Sequence, residues 1–373
     1  MKILFFHRWV GVHSGGTETH IKELVLLLAK KGHQIDILTR EGDELKDLPS
    51  EIKIWRVSKN YNESDHSYDD SRVYYHTFLF MVKSLIKLLY LRLVKGIRYD
   101  IISVHFVTEA EVARIYRIFF GTPYVFVLEG YTPLEGKRAS KADAQIAISM
   151  HEFNECFRNH GYKPRYIPKG LDSLRFNTEI DGSVIRKMYC RAEEKMILTV
   201  GRIEPRKGYP TLIQAAKNIC SHRSDIKFII VGDGIDFSKI KNDIERLELS
   251  KNIIMVGNID YFSQDLPRYY RAADLFVLPT IYEGFGYVYC EAMACGLPVI
   301  STNVGAVPEV LGEAGIIIPP RDPDLLAEKI LFLLENENLR KEMSQRGIER
   351  VRSYDWDRQI LLYEDAYKSV LKK

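Results

Sequence analysis

The stretch YEGFGYVYCEAMACGLPVIST, Tyr282–Thr302, sets two carboxylates, Glu283 and Glu291, eight residues apart around a Gly-Phe-Gly turn. Gly284 and Gly286 flank Phe285 just ahead of a helical pattern that ends at Gly296, with Pro298 beyond it. A helix that starts on such a turn leaves its first backbone N–H groups without carbonyl partners, which suits an anion. Glu283 falls in the loop, and Glu291 falls in the helix, one turn past Tyr287 and on the same face. Were both helical, eight residues would separate them by ~12 Å, beyond the ~5–9.5 Å of a glycosidase carboxylate pair. The two carboxylates are therefore expected to hold different parts of one extended ligand. For either Glu taken alone, a solvated helix face is the plainer explanation.

A second group of chemistry-bearing residues lies in VGRIEPRKG, Val200–Gly208. Arg202 and Lys207 follow a strand and precede a helix, a place that suits a diphosphate. One close charge pair is worth ~4 kcal/mol at an effective dielectric of roughly 20, and an arginine can bind a phosphate through two hydrogen bonds. Arg206 in the same loop reads as solvated. Gly15 and Gly16, in GVHSGGTETH, let main-chain amides approach a phosphate. That stretch matches neither GxGxxG nor the Walker pattern, and a plain tight turn accounts for it equally well. DPD (Asp322–Asp324) and DWD (Asp355–Asp357) have the spacing of a metal–diphosphate motif. Both read as helix starts instead, Asp322 as an N-cap with Pro323 in the first helical position. Arg202, Lys207 and a helix N-terminus could neutralise a diphosphate without a cation, so neither a metal nor a cofactor is expected.

The elements that must position these residues alternate along the chain. MKILFF reads as a strand, HRWVGVHSGG as a loop, TETHIKELVLLLAKKG as a helix with Ile21, Leu24, Val25 and Leu28 on one face, and HQIDILT as the next strand. YNESDHSYDDSR, Tyr61–Arg72, reads as a polar loop, followed by a long helix from about Val73 to Lys95. YDIISVHFV, PYVFVLEG and AQIAIS supply further strands, and the second half repeats the alternation from MILTVGRI onward. Strands alternating with helices call for parallel sheets. The 373 residues exceed what one core supports and divide into two α/β domains, with residues 166–183 as the join. The expected boundaries are 1–170, completed by a C-terminal helix over ~356–373, and 171–355. For two open sheets, a ligand at the carboxyl ends of the strands is the default expectation.

Bulk composition excludes several classes. A net charge of +3 is too small to argue for nucleic acid as the main partner. The five cysteines show no framework or zinc spacing, which fits a reducing compartment. No apolar run approaches the ~18 residues of a membrane span, and the N-terminus reads as a strand rather than a signal peptide. The protein is expected in the cytoplasm. SRVYYHTFLFMVKSLIKLLYLRLVKGIR combines a broad apolar face with Lys83, Lys87, Arg92, Lys95 and Arg98. A core-facing helix with solvated lysines is the favoured reading. The alternative is peripheral contact with the inner face of a membrane through residues ~73–98.

Taken together, YEGFGYVYCEAMACGLPVIST, VGRIEPRKG, YIPKGLDSLRF, FIIVGDG, NIIMVGNI and VGAVPEVL resemble the retaining glycosyltransferases of the GT-B fold, the glycosyl transferases group 1 family. The resemblance is nearly continuous from Tyr166 to about Pro323. It is looser in the N-terminal half, where it rests on the strand–GG–helix start and KADAQIAIS. It implies two Rossmann-like domains with parallel sheets facing across a cleft, a nucleotide-sugar donor held mainly by the second domain, and an acceptor on the first. It implies that Arg202 and Lys207 hold the donor diphosphate. Backbone around Gly284, Phe285, Gly286 and Tyr287 would lie against phosphate and sugar, with Glu283 at the sugar hydroxyls and Glu291 at the ribose. Gly15 and Gly16 would close on the phosphates. The implied reaction moves a hexose from a UDP- or GDP-linked donor to a glycan or lipid-linked acceptor, with retention at the anomeric carbon and without a metal.

Two positions depart from the family pattern. Many relatives have a histidine at the end of the strand that here reads FVLEG, where this chain has Glu129. A glutamate there could bond a sugar hydroxyl or face a cationic transition state. His105 in ISVHFV is the other candidate for that histidine, although a single His near a strand end reads more readily as structural, and Lys169 stands in YIPKGLD where relatives usually have Asn. Three other functions compete with transfer. A nucleotide-sugar hydrolase or epimerase of the same fold would keep these residues. A nicotinamide-dependent oxidoreductase lacks its GxGxxG and its acidic partner. A non-catalytic nucleotide-binding module would not need Glu283, Glu291, Arg202 and Lys207 together.

Overall fold

A computed structural model describes every residue except 9, 11–14, 42–44, 46–47, 59–70 and 373, and no side chain of residues 71–74. The chain divides into two compact units, Met1–Lys169 with Asp357–Lys373, and Gly170–Trp356.

The first unit runs β1 (Lys2–Phe6), α1 (Gly16–Lys30), β2 (Gln34–Thr39), β3 (Lys53–Arg56), α2 (Ser71–Leu93), β4 (Ile101–Val104), α3 (Val107–Phe120), β5 (Tyr124–Leu128), α4 (Pro133–Ala139), β6 (Ala144–Ala147), α5 (Met150–His160) and β7 (Arg165–Tyr166). Among the described residues its strands number seven, all parallel, in the order β3-β2-β1-β4-β5-β6-β7. The expected amphipathic face of α1 is in place: Ile21, Leu24, Val25 and Leu28 are all buried. The strand expected over YDIISVHFV stops at Val104, and α3 starts at Val107. His105 and Phe106 therefore leave the sheet at its carboxyl edge. The polar stretch expected as a loop, Tyr61–Arg72, lies outside the described residues as far as 70, and α2 opens at Ser71. Phe6, Val104 and Phe126 of the sheet pack with Phe80 and Leu88 of α2 in one buried cluster. Each such side chain contributes roughly 1.5–3 kcal/mol by leaving water.

The second unit runs α6 (Ser183–Tyr189), β8 (Lys195–Val200), α7 (Tyr209–Cys220), β9 (Ile226–Val231), α8 (Phe237–Arg246), β10 (Ile253–Gly257), α9 (Asp265–Ala272), β11 (Leu275–Leu278), α10 (Tyr287–Ala294), β12 (Val299–Thr302), α11 (Val307–Leu311), β13 (Gly315–Ile318), α12 (Pro323–Glu335) and α13 (Glu337–Val351). Its six parallel strands lie in the order β10-β9-β8-β11-β12-β13. Ile197, Phe228, Val277 and Ile300 of the sheet pack with Leu212 of α7 and Ile330 of α12. The last helix, α14 (Trp356–Leu371), returns the chain to the first unit after its first residue.

In both units the first strand sits inside the sheet, and the chain builds outward on one side before crossing to the other. Strand order thus reverses at β1/β4 and at β8/β11. In open parallel sheets the loops at the carboxyl ends of such neighbours diverge and leave room for a ligand. Among the described residues, no helix is long and apolar enough to cross a membrane.

Candidate active site

In the second unit, the loops after β8 and β11 are bound to each other by their main chains. The Arg206 carbonyl accepts hydrogen bonds from the Ile281 amide (2.7 Å) and the Thr280 hydroxyl (2.8 Å). Gly208, at φ 73°, has no room for a β-carbon: one built there would collide with the Pro279 carbonyl. Gly305, at φ 53°, meets the Glu283 carbonyl in the same way, and the next amide, Ala306, donates to that carbonyl at 3.0 Å. Three loops thus close on each other, and both glycines adopt left-handed backbone that other residues resist.

This framework carries the chemistry-bearing side chains. Lys207 Nζ donates to Glu283 Oε2 at 2.5 Å, and each side chain is only 13% exposed. Two residues 76 positions apart, expected separately at diphosphate and sugar, are therefore in contact. Arg202 is half exposed, with its guanidinium 3.7 Å from Glu204, which also holds Arg206. Gly286 is the N-cap of α10, with no side chain capping the helix, so the first-turn amides have no side-chain acceptor at the N-cap. The rings of Phe285 and Tyr287 are buried and meet edge-on, Phe285 also against Tyr354. Their packing fixes the turn and leaves the main chain as what Gly284–Tyr287 can offer a ligand.

Glu291 sits differently. It is buried, and its Oε2 accepts a hydrogen bond from the Tyr270 hydroxyl of α9 at 2.5 Å. Burial pushes its carboxyl up to about 7, against the opposing pull of the Tyr270 hydrogen bond and Arg175. No hydrogen bond or ion pair joins Glu291 to Glu283 or Lys207. Sequence reasoning missed Tyr270, which lies on a different helix with no spacing relation to Glu291.

In the first unit, Glu129 caps the end of β5 and gathers three donors. Oε2 accepts from Lys169 Nζ at 2.5 Å and from the Thr17 hydroxyl at 3.2 Å, and His105 Nδ1 lies 2.9 Å from Oε1. Glu129 is 3% exposed and Lys169 5%. Burial alone would raise the Glu129 carboxyl. The Lys169 ammonium and the His105 hydrogen bond outweigh it and hold the carboxyl well below the usual range. Lys169 also donates to the Gly16 carbonyl at 3.2 Å, so the same ammonium ties the start of α1 to the strand end. Gly15 is the extended N-cap of α1, again with no side-chain cap; residues 11–14 of that loop lie outside the described residues. His7 and His20 are buried, and desolvation lowers each to about 3, leaving them neutral. Sequence reasoning did not join Lys169 to Glu129. The available signal was that the two departures from the family pattern carry opposite charges, and a buried charge demands a partner.

The two acidic motifs weighed as metal sites act at helix starts. Asp322 accepts from the Leu325 amide at 3.0 Å, with Pro323 opening α12, and Asp355 directly precedes α14 and accepts from Ser173. Among the described residues, no group of three or more His, Cys, Asp or Glu is placed to hold a metal ion.

Comparison with known proteins agrees with this arrangement. Residues 185–350 match the family described as Glycosyl transferases group 1, and residues 14–175 match Glycosyltransferase Family 4. An uncharacterized glycosyltransferase of Methanocaldococcus jannaschii is 28% identical over 285 residues, 73% of this chain and 76% of that one. The GDP-mannose-dependent monoacylated alpha-(1-6)-phosphatidylinositol monomannoside mannosyltransferase of Corynebacterium glutamicum is 30% identical over 253 residues. That match spans 62% of this chain and 65% of the relative's length. Among solved structures, sucrose-phosphate synthase from Thermosynechococcus elongatus superposes with a TM-score of 0.84 at 23% identity, covering 100% of this chain and 99% of the other, a likeness of fold. Two parallel-sheet units, a cation–carboxylate pair beside an uncapped helix start and two family matches that together run from residue 14 to 350 lead to one assignment: the chain is a glycosyltransferase of the group 1 family, with the GT-B fold.

Proposed function

We propose that this enzyme moves a hexose from a UDP- or GDP-linked donor to a glycan or lipid-linked acceptor, with retention at the anomeric carbon and without a metal ion. The observation that carries the reading is the Lys207–Glu283 pair beside the uncapped start of α10. In this reading Lys207 and Arg202 take the donor diphosphate, together with main-chain amides of Gly284, Phe285, Gly286 and Tyr287. Glu283 then exchanges part of its hold on Lys207 for sugar hydroxyls. Glu291, buried beside Tyr270, is the ribose acceptor, and Gly15 and Gly16 offer amides to the phosphates. As the bond from the anomeric carbon to phosphate oxygen breaks, charge grows on the departing diphosphate. Fixed cations and amides there bind the transition state more tightly than the ground state. The acceptor oxygen bonds to the same face of the anomeric carbon, and its proton passes to the leaving phosphate oxygen. Peripheral contact with the inner face of a membrane through residues 73–98, from the cytoplasm, belongs to this reading. The Corynebacterium relative, named for a GDP-mannose donor and a phosphatidylinositol mannoside, supports both the donor class and a lipid-linked acceptor.

The test is a thermal-shift screen against a panel of UDP- and GDP-sugars, followed by NMR of the product formed with the best donor. The expected product keeps the donor's anomeric configuration. An inverted product would overturn retention. Free sugar formed in the presence of every acceptor offered would favour the hydrolase.

A further inference from the structure

Helix α2 has two apolar faces, and the core accounts for one. Phe80, Ser84, Leu88 and Leu91 are buried toward the sheet. At roughly 100° per residue, Tyr75, Phe78, Val82, Ile86, Tyr90 and Leu93 form a stripe on the opposite side. These six range from 37% exposed at Val82 to 69% at Leu93. At the end of α3, where Arg92 stacks over Phe120, Ile118 and Phe119 add two more exposed apolar side chains, at 67% and 72%. A surface helix ordinarily turns polar residues outward, and a contiguous exposed apolar patch marks an interaction site.

The charge around the stripe says what kind of partner it fits. From residue 71 to 98 the sequence contains no Asp or Glu, while Lys83, Lys87, Arg92, Lys95 and Arg98 all fall within it. None of these five cations is ion-paired among the described residues. On the helical wheel Lys83 and Lys87 flank one side of the stripe and Arg92 the other, the arrangement that lets long cationic side chains reach upward from an apolar contact. Lys87 already lies along the rings of Trp55 and Tyr90. A second copy docked here would set like charges against like. An anionic lipid surface satisfies the apolar stripe and the cations at once.

We propose that the outer face of α2 seats this enzyme in the headgroup layer of an anionic bilayer. This deepens the reading given above, on which it rests for its purpose, by naming the surface from which a lipid-linked acceptor would be taken. The seating itself needs no catalysis.

The test is co-sedimentation of the full chain with vesicles of phosphatidylcholine alone and of an equal mixture of phosphatidylcholine and phosphatidylglycerol, at low and high salt. Strong binding is expected to the mixed vesicles at low salt, weakened by high salt, with little binding to phosphatidylcholine alone. Phe78→Ser/Ile86→Ser/Leu93→Ser should abolish it, and Lys83→Gln/Lys95→Gln should weaken it about fivefold per charge. All substituted side chains are exposed, and an unchanged melting temperature verifies that the variants fold. A nucleotide-sugar thermal shift in the same preparations separates the two ideas. A retained shift with no vesicle binding removes the lipid surface and leaves the transferase. Vesicle binding with no shift for any nucleotide sugar does the reverse. Sedimentation showing a dimer that the triple variant loses would overturn the lipid surface in favour of a second copy.

Discussion

The two units each hold a lysine–glutamate pair at 2.5 Å near the carboxyl ends of their strands, and the two pairs are built for different ends. Glu129 in the first unit is saturated: Lys169, His105 and Thr17 converge on it, and neither partner of the ion pair is more than 5% exposed. Among the described residues, Glu283 in the second unit has one ion-pair partner; its side chain is 13% exposed, and a half-exposed arginine lies on the neighbouring loop. Removing a partner from a dry pair strands a charge, at a cost of several kcal/mol. A pair that water and ligand can reach can exchange partners at little cost. The first arrangement is closed by its own partners, and the second is the one that the proposed reading opens to a substrate.

Breaking each pair with an isosteric change should give the largest contrast. Lys169→Met is expected to cost about 3–5 kcal/mol in urea denaturation, and Lys207→Met measurably less, because its pair keeps more contact with water. Equal losses would erase the distinction between the pairs. Turnover should divide the other way. Lys207→Ala or Arg202→Ala is expected to lower kcat by ~10²-fold or more, the scale of losing one transition-state donor. Arg206→Ala, on the same loop, should stay within about twofold. Near-normal rates in both of the first two variants would remove the phosphate assignment, and a loss for Arg206 comparable to theirs would show that the loop's overall charge is what matters.

The effect that is smallest per step measured concerns acid and base. The Glu291 carboxyl is raised from 4.5 to about 7. Between those values the folded chain holds a proton that the unfolded chain has released. The resulting stability is complete below 4.5 and is lost as pH rises through 7. His7 and His20 run oppositely. Lowered from 6.5 to about 3, they contribute stability present above 6.5 and lost as pH falls. Subtracting the stability of Glu291→Gln from wild type cancels the histidines. That difference should fall by about 1 kcal/mol per pH unit across the window. A flat difference would mean that Glu291 is charged and paired in the fold.

Much of this molecule is legible in its sequence, because period and punctuation are local. The face of α1, the cap at Asp322 and the helix after Gly286 all follow from neighbouring residues. What the sequence hides is pairing. Lys207 with Glu283, Tyr270 with Glu291 and Lys169 with Glu129 lie 76, 21 and 40 positions apart, and meet because separate elements converge. The apolar pattern of α2 was expected to serve the core. It does so on one side only, since a sheet covers one face of a helix and the count of apolar residues does not say which of them it covers.

Gly208 and Gly305 have a bearing on how such an enzyme can change. Because main chain lies against main chain at both, a single added methyl group would wedge the loops apart and uncouple lysine from carboxylate. A laboratory library that alters donor preference can vary the side chains around the sugar freely. At these two positions it should recover glycine and little else, whichever nucleotide sugar is selected.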